Sequence, residues 1–305
     1  MFVEGFIQMA ELQSVLLIYL VVGFICNKVG IITHENQQKF IDLITNVLMA
    51  CMVFNSFKGI TIGMLSSAFS VLMISILICL VSWVLGRVLY RRFPENEQRP
   101  LRYATLISNA GFAGLPLAES TFGEEGLLYA SIYLIPIRVF IWSAGITMLS
   151  GEKVPFPELV RKLATNPCII AVFLGLARGL LGIEFPAPVE TALSNLSACV
   201  SPLSMIVVGA IIGNMDLRYV VTPHVLYYCA IRLVVLPLIT YGLCLLIGAG
   251  EVVSGTCMLL SAMPAAATTS LLSARYGADE EFASRLVCVS TVLSLVTTPV
   301  LMLLL

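Results

Sequence analysis

Ten apolar stretches, separated by short polar connections, restrict what this chain can become. They run over residues 12–32, 40–57, 64–90, 101–122, 127–149, 167–182, 191–212, 220–247, 252–276 and 282–305. A helix that crosses the hydrocarbon core of a bilayer needs about 20 apolar residues, with a range of about 17–25. Only 11% of the residues are charged and 59% are hydrophobic, against about 25% charged in a soluble domain. Such a chain cannot cover a water-facing surface. The sequence therefore predicts an all-α integral membrane protein with ten transmembrane helices and no soluble domain. A net charge of −1 argues against a nucleic-acid partner, which needs basic residues to neutralise phosphates.

The basic residues set the orientation, because cytoplasmic loops collect Lys and Arg. Thirteen of the 17 lie in or beside the loops joining spans 1–2, 3–4, 5–6, 7–8 and 9–10. Lys153 and Arg218 are among them, as is the cluster Arg87, Arg91, Arg92, Arg99 and Arg102. The opposite side, which includes both termini, holds only Lys58 and Arg178. Both termini are expected outside, on a multi-pass protein of the cytoplasmic membrane. The segment "MFVEGFIQMAEL" has no basic residue and lacks the charged start of a secretory signal, so the first span is expected to stay in the mature protein. All nine cysteines fall in apolar runs without a CxxC pair and read as small packing residues.

Ten spans divide into halves of five, 1–151 and 152–305, and an odd number per half turns the second upside down. "LPLAESTFGEEGLLYAS" (115–131) resembles "SLLSARYGADEEFAS" (270–284). In each, a span ends in aromatic-Gly, acids follow, and Ala-Ser opens the next span.

Spans 4 and 9 are interrupted near their middles, by "NAGFAGLP" and "AMPAAATTS". Proline removes an N–H and clashes with the preceding turn, and glycine loosens the helix further. Freed backbone groups cannot face lipid and are tolerated where they line a cavity or are buried in protein. Paired interruptions in two inverted halves point to the substrate site of a transporter. Half-helix N-termini offer positive potential and N–H groups to an anion. The residues expected to bind substrate are Asn109, Ala110, Gly111, Gly114, Pro116, Met263, Pro264, Thr268 and Thr269, with Ser270 beside them. Pro136, Pro202, Pro237 and Pro299 read as kinks or packing features.

Arg138 and Arg232 lie deep in spans 5 and 8, where an arginine costs at least ~2.5 kcal/mol and normally faces the bundle interior with a partner. A carboxylate substrate, freed backbone carbonyls and a distant acid are the candidate partners; for the substrate role Arg138 is favoured because span 5 follows the broken span 4. No HExxH, GxSxG or phosphate-binding Gly-Lys loop occurs, and no span carries an acidic cluster. A membrane-embedded enzyme would need a nucleophile–base pair or metal ligands, and a channel a polar filter. No cofactor and no metal site is expected.

Several segments resemble the auxin efflux carrier family, which includes bacterial malonate and malate permeases and, more distantly, plant auxin carriers. They are "SNAGFAGLP" (108–116), Asn166-Pro167, "PLSMIVVGA" (202–210), "RLVVLPL" (232–238), "AMPAAATTSLLSARYGAD" (262–279) and "ASRLVCVSTVLSLVTTP" (283–299). Span 2 departs from the family in lacking a proline near Ala50. The resemblance implies two inverted five-helix repeats. Spans 1, 2, 6 and 7 would form a scaffold that pairs into a homodimer. Spans 3–5 and 8–10 would form a transport domain in which helices 4 and 9 cross, and the substrate would be a small organic anion, a mono- or dicarboxylate. Coupling to H+ or Na+ stays open, with Glu119 and Asp42 as candidate proton carriers. The alternative is a cation-coupled carrier of the bile-acid-symporter or antiporter type, and acids at the crossing would mark an antiporter.

Overall fold

The computed structural model describes residues 2–61, 63–151, 155–214 and 220–305. Lys153 and Arg218, counted above among the basic loop residues, lie outside the described residues. The described chain is helical, with one isolated antiparallel bridge, Ser108 to Ala265.

The expected spans fall on helices in chain order. Span 1 is α1 (Phe2–Lys28). Span 2 is α2 (Gln37–Leu43) and α3 (Met49–Asn55), joined by a π-helical turn at Ile44–Leu48. Span 3 is α4 (Met64–Leu89). Span 4 begins as α5 (Glu95–Leu106), stops, and restarts through a π-helical turn at Ala110–Gly114 into α6 (Leu115–Phe140). Non-helical Gly123, at φ 66° and ψ −155°, divides α6, so its second part opens span 5. Span 5 continues through a third π-helical turn, Ile141–Gly145, into α7 (Ile146–Ser150).

The loop expected between spans 5 and 6 is itself helical: α8 (Phe156–Ala164) precedes α9 (Pro167–Leu181), which is span 6. Span 7 is α10 (Ala187–Ala198) with α11 (Val200–Gly213). Span 8 is α12 (Pro223–Ala230), a π-helical turn at Ile231–Val235 and α13 (Leu236–Leu246). That turn sits where Pro237 denies an N–H to the preceding carbonyl ladder. Span 9 is α14 (Glu251–Ser261), a break, and α15 (Thr268–Arg275). Span 10 is α16 (Glu280–Met302).

Among the described residues, five helices are long and apolar enough to cross a membrane by themselves, or seven if two bent pairs each count as one span. The bent pairs are α6 with α7, at 42°, and α8 with α9, at 55°. What remains is span 2, the first half of span 4 and span 9, the places where the chain interrupts its own helix. The outer surface is apolar: Ile18, Phe69, Phe173 and Val296 are each at least 60% exposed. Serine and threonine are turned inward, with Ser75, Ser204, Thr240 and Ser290 fully buried. This reverses the soluble pattern and suits lipid as solvent. The protein is a multi-pass membrane protein.

Two helix pairs approach through glycine. A Cβ on Gly23 of α1 would meet the Ile206 carbonyl oxygen of α11 at 1.9 Å, and one on Gly209 of α11 would meet that of Leu20 at 1.9 Å. Gly175 and Gly179 of α9 bear in the same way on the backbone of Phe54 and Phe57 at the end of α3. Small residues that let backbones touch are the usual basis of helix packing in lipid. Gly209→Val should therefore lower the thermal midpoint in detergent and broaden the size-exclusion peak. Overpacking of this kind costs about 1–3 kcal/mol or more. Gly242→Val, where a Cβ has nothing within 4 Å, should leave both measurements unchanged.

Candidate functional site

The two interrupted spans meet at their breaks. Ile107 leaves α5 with extended backbone (φ −109°, ψ 113°), and Ser108 bridges Ala265. Asn109 N–H donates to the Pro264 carbonyl at 2.8 Å. The Asn109 carbonyl then accepts from Ala113 and Gly114 at 3.0 and 3.3 Å and starts the second half of span 4. On the other strand, Ala265 N–H donates to Ser290 Oγ at 3.0 Å.

Span 8 supplies donors for the carbonyls that the breaks release. Arg232, 3% exposed, donates from Nε to the Met263 carbonyl and from Nη1 to the Thr105 carbonyl, each at 3.0 Å. One guanidinium thus joins the end of α5 to the break of span 9. Tyr228 Oη donates to the Ala104 carbonyl at 3.1 Å. Of the partners considered for a buried arginine, backbone carbonyls are the ones Arg232 has. Among the described residues it forms no ion pair.

Asn109 is 4% exposed, and its side chain has no hydrogen-bond partner among the described residues. It faces a narrow cavity of about 20 Å³ with Met263 and Pro264. Gln13, Leu16 and Leu20 of α1, Met205 of α11, and Thr291 and Ser294 of α16 complete much of the wall. That volume holds about one water. A second cavity, of about 400 Å³, is lined by His34, Gln37, Asn214, Ser270, Ser284 and Arg285, with acids Glu280 and Glu281 also present. Along α1 and the loop after it, along α11 and along α16, the two cavities follow in the same order. Ser284 and Thr291 are seven residues apart, about 10 Å along α16. The narrow cavity lies at the breaks, and the wider one lies toward the side of the basic loops.

The structure brings Asn109, Met263 and Pro264 to one cavity. Ala110 is fully buried in the π-helical turn. A Cβ on Gly111 would meet Met49 Cε at 2.9 Å, and one on Gly114 would meet Leu260 Cδ2 at 2.6 Å. Both glycines let span 4 approach its neighbours, and Pro116 is buried near the start of α6. Thr268 Oγ1 lies 3.3 Å from Tyr103 Oη. Thr269, Ser270 and Ser273 are buried on α15 with hydroxyl oxygens that lack partners. Neither Thr268 nor Thr269 lines the narrow cavity. Arg138 is half-buried, has Cys168 of α9 as an electrostatic neighbour, and does not line that cavity. Glu119 is exposed on α6. Asp42 is exposed and accepts from Gln38 Nε2 at 2.8 Å.

Sequence reasoning missed Gln13, Met205, Thr291 and Ser294. A signal exists for the last two, since Ser290, Thr291, Ser294 and Thr298 form a polar stripe at helical spacing on an otherwise apolar span.

Residues 7–302 match the family described as membrane transport protein. The chain belongs to that family, the family of the auxin efflux carriers. It is 25% identical over 300 residues to a protein of Methanothermobacter thermautotrophicus named "Uncharacterized transporter", covering 95% of this chain and 97% of the relative. A transporter of Methanocaldococcus jannaschii is 23% identical over 302 residues, covering 93% and 95%. A protein of Rhizobium meliloti named "Putative malonate transporter" is 24% identical over 215 residues, covering 68% and 67%. The membrane transporter is therefore established as to family.

Arg232 is the bond on which the crossing's stability should turn. Arg232→Gln is expected to orphan Thr105 or Met263 carbonyl oxygen, at about 1–3 kcal/mol for each unpaired group. The thermal midpoint of the purified protein should fall, with Arg232→Lys intermediate because an ammonium cannot reproduce the planar fork. An unchanged midpoint in Arg232→Gln would show that the carbonyls find other donors.

Proposed function

We propose that the protein is a secondary transporter of a small organic anion, a mono- or dicarboxylate of auxin-like or malate- and malonate-like size, working by alternating access at the crossing of helices 4 and 9. The observation that carries this reading is the unpaired Asn109 side chain at the mouth of a cavity between two broken helices, with Arg232 directly behind their backbone. Asn can donate and accept at once. No carboxylate among the described residues lines that cavity, while Arg232 and half-helix N-termini give positive potential. An anion is favoured there over a cation. The name of the Rhizobium meliloti relative points the same way.

The packing supports a two-fold inverted repeat of residues 1–151 and 152–305. Glycine contacts pair span 1 with span 7 and span 6 with span 2. Exchanging 1 with 6 and 2 with 7 turns one pair into the other. Spans 1, 2, 6 and 7 would be the scaffold, and spans 3–5 and 8–10 the moving unit.

Two measurements test this reading. In proteoliposomes, a carboxylic acid should be transported or bound in preference to its amide, and a dicarboxylate in preference to a diamine. Asn109→Ala should weaken acid affinity about five- to hundredfold, the equivalent of about 1–3 kcal/mol, with folded protein still present. Preference for the amide or the diamine would overturn the anion assignment, and wild-type transport by Asn109→Ala would make the break architectural.

Orientation is tested separately in a cysteine-free background. Glu95 and Glu124 are both exposed. Glu95→Cys should be shielded from an impermeant thiol reagent in intact cells and Glu124→Cys labelled. The reverse pattern would place both termini inside.

A further inference from the structure

At the opposite side of the moving unit from the crossing's narrow cavity, the ends of three helices enclose a basic pocket. Its volume is about 390 Å³, and Arg87 of α4 and Arg99 and Arg102 of α5 line it with Trp83, Thr147 and Met148. No acid is among its described lining residues, and none of the three arginines forms an ion pair with a described residue. Their partners are weak or neutral. Arg87 lies over the Trp83 ring at 4.0 Å. Arg99 Nη1 reaches the Leu149 carbonyl at 3.5 Å. Arg102 Nη2 donates to Gln98 Oε1 at 2.6 Å, and its Nε is buried without a partner.

Three guanidinium groups around one cavity repel one another unless an anion sits among them, and planar N–H forks suit phosphate oxygens. We propose that this pocket binds a phosphate anion, as the headgroup of an anionic phospholipid or as free phosphate. Its location favours the lipid. Tryptophan beside arginine near a helix end marks the membrane interface. The neighbouring α8 has no buried residue, with Phe156 75% and Val160 47% exposed and Arg161 and Lys162 in its last turn. Apolar residues at 156, 159, 160 and 163 share one face, as in a helix that lies in the interface plane. Basic pockets between transmembrane helices on the cytoplasmic side are suited to acidic headgroups.

Native mass spectrometry of the purified full chain tests the site, using phosphatidylglycerol and phosphatidylcholine with the same acyl chains. Thermal-shift titration with inorganic phosphate tests the free anion. Wild type should retain phosphatidylglycerol over phosphatidylcholine, and the double variant Arg99→Gln/Arg102→Gln should lose about tenfold or more of that affinity. Arg92→Gln removes one charge outside the pocket lining, as Arg87→Gln removes one within it, and should retain the preference. A phosphate-induced shift that the double variant abolishes, without lipid preference, would support the pocket and make free phosphate its ligand. Should the double variant fail to fold, Arg87→Gln, exposed on α4, gives the same comparison. The proposal is overturned if a folded pocket variant binds both ligands as wild type does. It is also overturned if Arg92→Gln loses as much as the pocket variants, or if wild type shows neither lipid preference nor a phosphate shift.

Discussion

A backbone broken inside a bilayer must find donors and acceptors within the protein, since lipid offers none. Here the requirement falls on a few groups. The Thr105 and Met263 carbonyls share Arg232, the Ala104 carbonyl takes Tyr228, the Pro264 carbonyl takes Asn109 N–H, and Ala265 N–H takes Ser290. Each bond joins two different spans. The breaks are therefore held by tertiary structure and could not persist in an isolated helix. An arginine is suited to this role because its fork reaches two carbonyls at once and it stays charged when buried.

These bonds leave the Asn109 side chain over, along with the Thr269, Ser270 and Ser273 hydroxyls of α15. The Ala104, Thr105, Met263 and Pro264 carbonyls are engaged by protein donors, whereas the Asn109 side chain lines the cavity. The positive charge of Arg232 is spread behind the wall and unmatched by an acid. The cavity wall is thus a neutral amide with a buried guanidinium behind it, and no acid among its described lining residues.

Much of this was legible in the residues. Apolar stretches of sufficient length located the helices, and the Gly-Pro-Asn and Pro-Ala-Thr interruptions located both breaks. Asn109, Met263 and Pro264, which line the narrow cavity, lie at the breaks, whereas Thr268 and Thr269, named on the same ground, do not line it. The helix α8 was overlooked although Phe156, Leu159, Val160 and Leu163 have helical spacing, because Pro155, Pro157 and three charges gave the segment the composition of a loop. Gln13 and Met205 carry no local mark at all. Their place in the wall depends on α1 and α11 closing together through Gly23 and Gly209, a contact between residues nearly two hundred apart. Arg138 and Arg232 were indistinguishable by depth, and only the tertiary path of span 8 brings Arg232 to the breaks.

The distribution of polar bonds bears on how such a crossing could move. Long-range hydrogen bonds tie spans 3–5 and 8–10 to one another, as in Arg232 to Thr105, Asn96 to Asp279 and Ser75 to Tyr133. Others tie spans 1, 2, 6 and 7 together, as in Lys28 to Gly213, Asn55 to Ser197 and Arg178 to Glu190. Among the described residues two side-chain bonds cross between the groups: Ser204 Oγ to the Phe112 carbonyl at 3.0 Å, and His34 to Glu280 at 3.2 Å. The second is solvent-exposed and of small energetic weight. Apolar contact, with little directional preference, makes up much of the remaining boundary. The two groups are thus joined by few directional bonds among the described residues, while bonds inside each group hold the crossing together. The narrow cavity and the wider one both lie along that same boundary.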